Sequence, residues 1–282
     1  MKWSKKYLEI YEKPYSNIRN EVFDLVESNL KMFNNENPIA TVAIISHNDE
    51  KRLLSCIWSL SDSKTKYPIE IIGINNASTD NTEKIYKRVN LKYYYESRKG
   101  FGFARQCGLD NAKGKYYICI DSDTIYPNKY IEKVIDEFEK EKSVVGVSVQ
   151  YSIIYKTCQE RIFYFFYEII RNIFNRLVRV NRPERVVRGL AFSHNTEIGK
   201  KIGYKLNIKR GSDGSMAFNL KKFGEIKFVR NRKISPISRS SIFGDSNKFS
   251  SLFLKIYDEI KHIKRYFVKL KELKDEESNL MK

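Results

Sequence analysis

The sequence predicts an α/β fold, with a mostly parallel central sheet flanked by helices, on two observations. Between residues 41 and 151, short β-branched apolar runs alternate with longer amphipathic segments of helical length. Strands joined by helical crossovers run parallel, with right-handed connections. The second observation is the run at 116–120, which has no polar alternation and indicates a central strand buried on both faces.

The alternation predicts the following elements in chain order. Strands are expected at 41–45, 69–74, 92–95, 116–120 and 144–151, with helices near 50–60, 82–89, 103–112 and 128–142. Further helices are expected at 158–180, at 195–202 and from about 210 to 223, followed by a closing strand at 225–229. Because the strands of such a sheet are parallel, their carboxyl ends meet at one edge.

The predicted domain organisation is one large body with two helical extensions. Residues 1–37 are charged and helical in pattern and end in a polar break before Pro38. The body spans 38–245 and divides into halves at 38–127 and 128–245. Residues 246–282 predict a basic amphipathic helix at the C-terminal end.

Charge and cysteine content limit the partners and the compartment. The net charge of +18 favours anionic partners, namely nucleic acid, nucleotide diphosphates or an acidic membrane face. The four cysteines, at 56, 107, 119 and 158, show no Cys-x-x-Cys spacing, which favours a reducing cytoplasmic compartment. No apolar signal core and no uncharged stretch of roughly twenty residues is seen, so we expect a cytoplasmic protein, soluble or peripheral at the inner membrane face.

Two segments combine apolar residues at helical spacing with many cations. One is the predicted helix at 158–180, and the other runs from 249 to 270. Such a helix either packs on the body of the protein or contacts an anionic membrane surface, and the sequence leaves both interpretations open.

Polar clusters follow three of the predicted strands at 46–50, 75–80 and 121–123. Ligands of open α/β sheets bind outside the carboxyl ends of the strands, so we expect these clusters to converge on one binding rim. A loop at 98–105 adds two glycines and three cations at the start of a helix, which suits an anion.

Asp121 and Asp123 stand one residue apart at the end of the central strand. Two carboxylates this close raise each other's pKa unless a cation or hydrogen-bond donors compensate. A divalent ion that joins them to phosphate oxygens would do so. The alternative is an Asx-turn that merely caps the loop. Asp213 likewise has an alternative interpretation, as a helix N-cap.

Five segments of the chain resemble the family 2 glycosyltransferases. Residues 42–50 are similar to that family's opening strand and Tyr-Asn-Glu loop, and residues 75–80 to its Asp-Asp/Asn-x-Ser-x-Asp. Further on, 102–108 is similar to its Ala-Arg-Asn-x-Gly helix, 121–123 to its Asp-x-Asp, and 188–224 to its acceptor half. The resemblance covers about residues 40 to 240 and implies the GT-A fold, with 38–127 as the nucleotide-binding half and 128–245 as the acceptor half.

The resemblance also implies roles for individual residues. The nucleotide-sugar donor would be bound by Ser46, His47, Asn48, Glu50, Asn75, Asn76, Arg105, Asp121 and Arg239. Asp123, with Asp121, would hold Mg²⁺ or Mn²⁺. Asp213 would act as the general base that takes a proton from an acceptor hydroxyl, in a single displacement that inverts the anomeric centre.

Three positions depart from the family pattern. Asn75 replaces the usual first Asp, so the identity of the donor base is open. His47 stands where Tyr is common, and Ser212 stands where an acidic residue often precedes the base. The acceptor is not identified by the sequence, although the two basic amphipathic segments favour a lipid-linked or membrane-proximal one.

Two other functions were weighed. A sugar nucleotidyltransferase would need a glycine-rich basic loop after the first strand, whereas 46–50 contains no glycine. A non-enzymatic nucleic-acid-binding protein would use the +18 charge, but the chain has no nucleic-acid-binding motif. A nucleotide-sugar-dependent transferase is therefore the leading hypothesis, and no nucleic-acid partner is expected.

Overall fold

The computed structural model describes residues 2–33, 35–155, 157–208 and 211–239. The predicted C-terminal helix at 246–282, with its amphipathic segment from 249 to 270, lies outside these residues.

The described residues form the following elements. The strands are β1 (Ala40–Ser46), β2 (Ile69–Asn76), β3 (Tyr93–Glu96), β4 (Tyr116–Asp121), β5 (Thr124–Ile125), β6 (Val144–Val149), β7 (Ser152–Ile153), β8 (Phe192–Asn195), β9 (Glu225–Val229) and β10 (Ile237–Ser238). The helices are α1 (Lys5–Leu8), α2 (Asn20–Leu30), α3 (Glu50–Ser61), α4 (Thr82–Arg88), α5 (Phe101–Asp110), α6 (Tyr130–Lys140), α7 (Cys158–Asn181), α8 (Thr196–Ile202) and α9 (Ser212–Leu220). Short 3-10 turns lie at Lys2–Ser4, Tyr15–Asn17, Lys31–Phe33, Pro183–Arg185 and Gly189–Ala191.

The main sheet has seven strands in the order β3-β2-β1-β4-β8-β6-β9. The predicted central strand is confirmed, because β4 is the fourth of the seven. All pairs are parallel except those made by β8, which runs antiparallel between β4 and β6. The sequence does not predict β8, because three of its four residues, Ser193, His194 and Asn195, are polar and leave no apolar run. A second sheet joins the short strands in the order β5-β10-β7.

The register of the parallel strands brings their polar ends together. Ser46 at the end of β1 pairs with Asn75 of β2, and Ile45 pairs with Asp121 at the end of β4. Asn76 pairs with Glu96 at the end of β3. The predicted convergence of polar clusters on one rim is therefore what the structure has.

The N-terminal helices α1 and α2 pack on α3 at one face of the sheet. Phe23 and Val26 of α2 are buried in the same apolar cluster as Val42 and Ile44 of β1 and Ile57 of α3. Alternate residues of β1 point into a second cluster on the opposite face, which β1 shares with α5 and α9. Each large side chain buried in this way stabilises the fold by roughly 1.5–3 kcal/mol. The predicted N-terminal extension is thus part of the principal core.

Helix α7 turns its apolar stripe away from the body of the protein. Tyr164 and Val178 are its buried residues. Ile173 follows Tyr164 by nine positions, which at about 100° per residue places it on the opposite side of the helix. The stripe is 37% to 77% exposed at Ile162, Phe165, Phe166, Ile169, Ile170, Ile173, Leu177 and Val180. Within the described part of the chain, no helix is both long enough and apolar enough to span a bilayer.

Candidate active site at the carboxyl edge of the sheet

Three carboxylates lie close together where β4 ends. Asp121 is the last residue of β4, and Asp123 stands in the turn to β5. Asp123 Oδ1 accepts hydrogen bonds from the Thr124 hydroxyl at 3.1 Å and the Ser238 hydroxyl at 3.4 Å. Asp49 Oδ2, from the loop after β1, accepts a hydrogen bond from Ser122 Oγ at 2.6 Å. The turn therefore gathers acidic side chains from two strands at one point of the rim.

The surroundings of Asp121 and Asp123 disfavour their ionised forms. Burial raises the pKa of Asp121 to about 7, although the charge of Arg105 acts in the opposite direction. Burial also raises the pKa of Asp123, and the nearby charge of Asp49 adds to that effect. A cation between carboxylates relieves both the desolvation and the repulsion.

The donor set fits a hard divalent ion that is shared with a ligand. In the described residues, Oδ2 of Asp121 and Oδ2 of Asp123 accept no hydrogen bond, so each carboxylate keeps an oxygen for a metal. No group of three or more His, Cys, Asp or Glu side chains in that part of the chain is arranged to hold a metal alone. Mg²⁺ characteristically takes one or two carboxylates and completes its shell with water and phosphate oxygens.

Arg105 of α5 connects the acids of β4 to Asp213. Its Nη2 lies 3.2 Å from Asp121 Oδ1, and its Nε lies 2.8 Å from Asp213 Oδ1. The guanidinium is buried. Neither Arg105 Nε nor Asp213 Oδ1 has a partner that meets hydrogen-bond angles, so the contact is an ion pair with imperfect alignment. Arg105 was predicted to contact the donor, and the structure places it between two carboxylates.

Asp213 lies in the first turn of α9, as predicted. Burial raises the pKa of Asp213, and the charge of Arg105 acts to lower it. The N-cap interpretation of Asp213 is wrong, because Gly211, with φ of 93°, occupies the cap position. The carboxylate is held by Arg105 and remains close to the rim.

Gly189 leaves room for the pair of Arg105 and Asp213. A Cβ at this position would lie 2.0 Å from Arg105 Nη2 and 2.6 Å from Asp213 Oδ2. Real Cβ atoms do not approach that closely, so a side chain here would displace the ion pair. The sequence predicts no individual role for Gly189. Its role in leaving space for Arg105 and Asp213 is visible only in the structure.

Four of the predicted donor-binding residues are hydrogen-bonded to neighbouring loops. Asn48, at φ of 49°, accepts from the Thr79 amide at 2.7 Å. Glu50 accepts from the Asn81 amide at 2.9 Å. Asn76 donates to the Arg98 carbonyl at 2.7 Å and accepts from the Gly100 amide at 2.9 Å. His47 is exposed, and its Nδ1 lies 2.5 Å from the Asn76 carbonyl. These contacts hold the loops after β1 and β2 against each other.

The two remaining polar strand ends are buried. Ser46 donates to the Ile74 carbonyl at 2.9 Å and accepts from Tyr86 at 3.0 Å. Asn75 Oδ1 accepts from the Ser78 amide at 3.1 Å, while its buried Nδ2 has no hydrogen-bond partner among the described residues. The unused group of the Asn75 amide is therefore its nitrogen.

The N-terminal segment also reaches the rim, which the sequence analysis missed. Tyr11 donates to the Asp123 carbonyl at 2.8 Å. Glu12 Oε1 lies 3.4 Å from Arg52 Nη1 and 3.7 Å from Arg239 Nη1. Arg239 is exposed and follows Ser238, whose hydroxyl donates to Asp123, so Arg239 lies at the rim. A residue ahead of the repeating pattern gives no sequence signal for such a contact.

With this geometry in view, comparison with known proteins gives the family. The model of glycosyl transferase family 2 matches residues 41–189, and the chain belongs to that family.

Characterised and uncharacterised relatives match part of the chain. It is 36% identical over 106 residues to an uncharacterized glycosyltransferase, RP339, of Rickettsia prowazekii, which covers 36% of this chain and 33% of that protein. It is 29% identical over 130 residues to the glycosyltransferase GlyA of Streptococcus pneumoniae, covering 44% of this chain and 18% of GlyA. These matches therefore span a third or less of the relatives' length.

Solved structures share the fold at low sequence identity. Glucosyl-3-phosphoglycerate synthase of Mycobacterium tuberculosis, in complex with Mn²⁺, UDP-glucose and phosphoglyceric acid, superposes with a TM-score of 0.54 at 17% identity, over 77% of this chain and 76% of that one. Staphylococcus aureus TarS with UDP-GlcNAc gives a TM-score of 0.55 at 16% identity, over 86% and 70%. Both are GT-A glycosyltransferases, and the predicted GT-A fold is confirmed.

Proposed function

We propose that this protein transfers a sugar from a nucleotide-diphosphate donor to an acceptor hydroxyl, by a metal-dependent single displacement that inverts the anomeric centre. The observation that supports this most is the line of contacts from Asp121 through Arg105 to Asp213, with Asp123 two residues after Asp121. The acids that would hold the metal and the acid that would serve as the base are then neighbours on one rim. A displacement needs these two groups on either side of the reacting carbon.

Asp123 and Asp121 would hold Mg²⁺ or Mn²⁺. When bound, the ion supplies positive charge to the leaving diphosphate. The protein's own contribution is positioning. The hydrogen bonds of Asp123 to Thr124 and Ser238 fix the direction of its carboxylate before any ligand arrives.

Asp213 would take the proton of the acceptor hydroxyl. Its burial favours the neutral acid, whereas the charge of Arg105 favours the carboxylate that a general base needs. A buried carboxylate beside one cation is poised to accept a proton without being exposed to bulk water. Arg105 would therefore act mainly by keeping Asp213 and Asp121 ionised and oriented.

The donor would lie over the loops after β1 and β2. Nucleotide sugars are bound by the structural neighbours, which hold UDP-glucose, UDP-GlcNAc and, in the mannosyltransferase PcManGT of Pyrobaculum calidifontis, GDP-mannose with Mn²⁺. Asn75 offers an unused buried N–H group that could hydrogen-bond the nucleobase of the donor. Ser46, His47, Asn48, Glu50, Asn76 and Arg239 would shape the rest of this donor site.

The exposed stripe of α7 favours an acceptor at an anionic membrane surface. Eight apolar side chains of one helix face are exposed, and exposed apolar patches of this kind mark interaction sites. Arg161 and Arg176 are exposed on the same helix, whereas its two glutamates, Glu160 and Glu168, are half-buried. An apolar face edged by cations alone is complementary to an anionic bilayer. The enzyme would then act peripherally at the inner membrane face.

The metal site is tested by Asp123→Ala in a calorimetric titration with a nucleoside diphosphate and Mn²⁺. We expect Mn²⁺-dependent binding to be lost, because the carboxylate that would carry the ion is gone. Asp110→Ala is the matched control, since Asp110 is an exposed carboxylate at the far end of α5. Binding that is unchanged in Asp123→Ala would falsify the assignment of the metal site.

A further inference from the structure

A cavity of about 300 Å³ lies beside the proposed active site, at the carboxyl ends of β6 and β9 and against α7. Its walls contain five arginines, namely Arg171, Arg176, Arg179, Arg188 and Arg230, and no aspartate or glutamate. In the described part of the chain, none of these five guanidinium groups forms an ion pair with a carboxylate. The cavity is therefore a concentration of uncompensated positive charge.

One of the five arginines, Arg171, has a guanidinium nitrogen that is buried and is not hydrated at the surface. Arg171 Nη2 donates to the Tyr151 carbonyl at 2.6 Å, and its guanidinium lies 4.3 Å from the centre of the Tyr151 ring. These contacts fix the group, yet its Nη1 is buried and has no hydrogen-bond partner among the described residues. An unsatisfied buried donor on a charged group is costly, and a bound anion would satisfy it. A solvated basic surface would not leave such an atom.

Arg188 links the cavity to the proposed base. It lines the cavity and directly precedes Gly189, the residue packed against Arg105 and Asp213. Its charge also lowers the pKa of Asp213, although less than that of Arg105 does. From Asp123 to the cavity, the rim therefore presents the proposed metal site, then the proposed base, then the arginines. If the hydroxyl of an acceptor reaches Asp213, the neighbouring part of the same acceptor molecule would lie in the cavity.

We propose that this cavity binds a phosphate or diphosphate group of the acceptor, so that the enzyme glycosylates a phosphate-bearing molecule. The inference rests on the proposed transferase function, because it assigns the acceptor of that reaction. Guanidinium groups bind phosphate through paired N–H donors, which explains the use of arginine here. A cavity of about 300 Å³ is at the small end of ligand sites and suits a phosphorylated headgroup. Either a soluble phosphate ester or the headgroup of a lipid phosphate supplies this chemistry.

Calorimetric titration of the full chain with inorganic pyrophosphate, without divalent metal, tests the cavity directly. Arg179→Gln and Arg176→Gln are each expected to weaken binding about tenfold or more, since each removes a charge-assisted contact. Arg161→Gln is the matched control, because Arg161 lies on α7 but does not line the cavity, and it should change binding less than twofold. Arg171→Gln is a further variant that is expected to weaken binding. If Arg171→Gln fails to fold, Arg179→Gln and Arg176→Gln still test the cavity.

Asp123→Ala separates this inference from the transferase proposal. Metal-free pyrophosphate binding should persist in Asp123→Ala, while Mn²⁺-dependent binding of the nucleoside diphosphate should be unchanged in Arg179→Gln. The cavity proposal is overturned if pyrophosphate binding is lost in Asp123→Ala, if Arg161→Gln weakens it as much as Arg179→Gln, or if none of the cavity variants affects it. A failure of donor binding in the wild type would instead overturn the proposed function.

Two acceptor arms identify the source of the phosphate. Release of free nucleotide from a nucleotide-sugar panel is measured with glycerol phosphate, and separately with phosphatidylcholine vesicles that contain a polyprenyl phosphate. Turnover that needs the phosphate group and falls in Arg179→Gln supports the proposal in either arm, and the active arm names the source. Vesicles with phosphatidylglycerol at matched charge control for general attraction. Equal turnover with glycerol and glycerol phosphate, and with both kinds of vesicle, contradicts the proposal.

Discussion

The two halves of the rim differ in how their polar groups are satisfied. In the half proposed to bind the nucleotide, Asn48, Glu50 and Asn76 each hydrogen-bond the backbone of a neighbouring loop. In the half proposed to bind the acceptor, five arginines that form no ion pair among the described residues surround a cavity, and α7 exposes an apolar face. One half is already organised by its own contacts, while the other offers charge and apolar surface to something outside it.

This difference matches what the two halves are proposed to do. A family-wide donor site benefits from loops that are held in place before binding, since less ordering is then required. Groups left without ion pairs in the half proposed to bind the acceptor indicate the chemistry of the partner that would pair with them. The family match ends at Gly189, so Asp213 and Arg230 lie beyond it.

The largest expected effect comes from Asp213→Asn, which divides the two halves by function. Turnover should fall by about two or more powers of ten, because the amide cannot accept the proton of the acceptor hydroxyl. Donor binding, which belongs to the other half, should be unchanged by calorimetry. Thermal unfolding of the variant checks that Arg105 tolerates an amide partner.

Comparable turnover in Asp213→Asn would reassign the base to another group. Loss of donor binding together with turnover would show that the two halves are not separable in this way.

The next effect concerns His194 in β8, the strand that joins the halves. His194 is fully buried among Tyr117, Phe192 and Tyr204, with Nδ1 2.9 Å from the Asn195 carbonyl and Nε2 3.2 Å from the Tyr204 hydroxyl. Burial lowers its pKa to about 4 from the ordinary 6.5. The unfolded chain therefore binds a proton between these values that the folded protein does not.

The free energy of unfolding should accordingly decrease as the pH falls from 6.5 towards 4. At pH 4 the contribution of His194 to this decrease should be about 3 kcal/mol. Buried carboxylates with raised pKa values act in the opposite direction, so the quantity to measure is the difference between the wild type and His194→Gln. Urea unfolding of both proteins from pH 7 to pH 4 gives it. If the two pH dependences coincide, His194 is not buried in β8 as a neutral side chain.

The sequence predicts the long helices and strands better than the short strands. Long periodic segments such as β1, β2 and α3 were placed to within a residue or two, because their apolar spacing is unambiguous. The convergence of Ser46, Asn75 and Asp121 followed from parallel connectivity alone. Strand β8 and the two-residue strands gave no periodic signal.

The site was less predictable where contacts are distant in sequence. The residue types at Asp121 and Asp213 suggested their chemistry, but not that Arg105 lies between them. Tyr11 and Glu12 reach the rim through tertiary packing, and the space at Gly189 is visible only once Arg105 and Asp213 are in place. For α7, the apolar spacing predicts the stripe, whereas the direction in which the stripe faces depends on which side of the helix contacts the body.

The smallest expected effect tests that direction. Ile173→Gln should change the free energy of unfolding by less than about 0.5 kcal/mol, because Ile173 is 58% exposed. Val178→Ala on the same helix should cost roughly 1–2 kcal/mol, since Val178 is buried and loses two methyl groups. Ile173→Gln should nevertheless reduce co-sedimentation with phosphatidylglycerol vesicles. Met32→Gln, a change at another exposed apolar residue, should not. If Ile173→Gln destabilises the full chain as much as Val178→Ala, the stripe is covered by protein. The unpaired character of the acceptor half would then be confined to its arginine cavity.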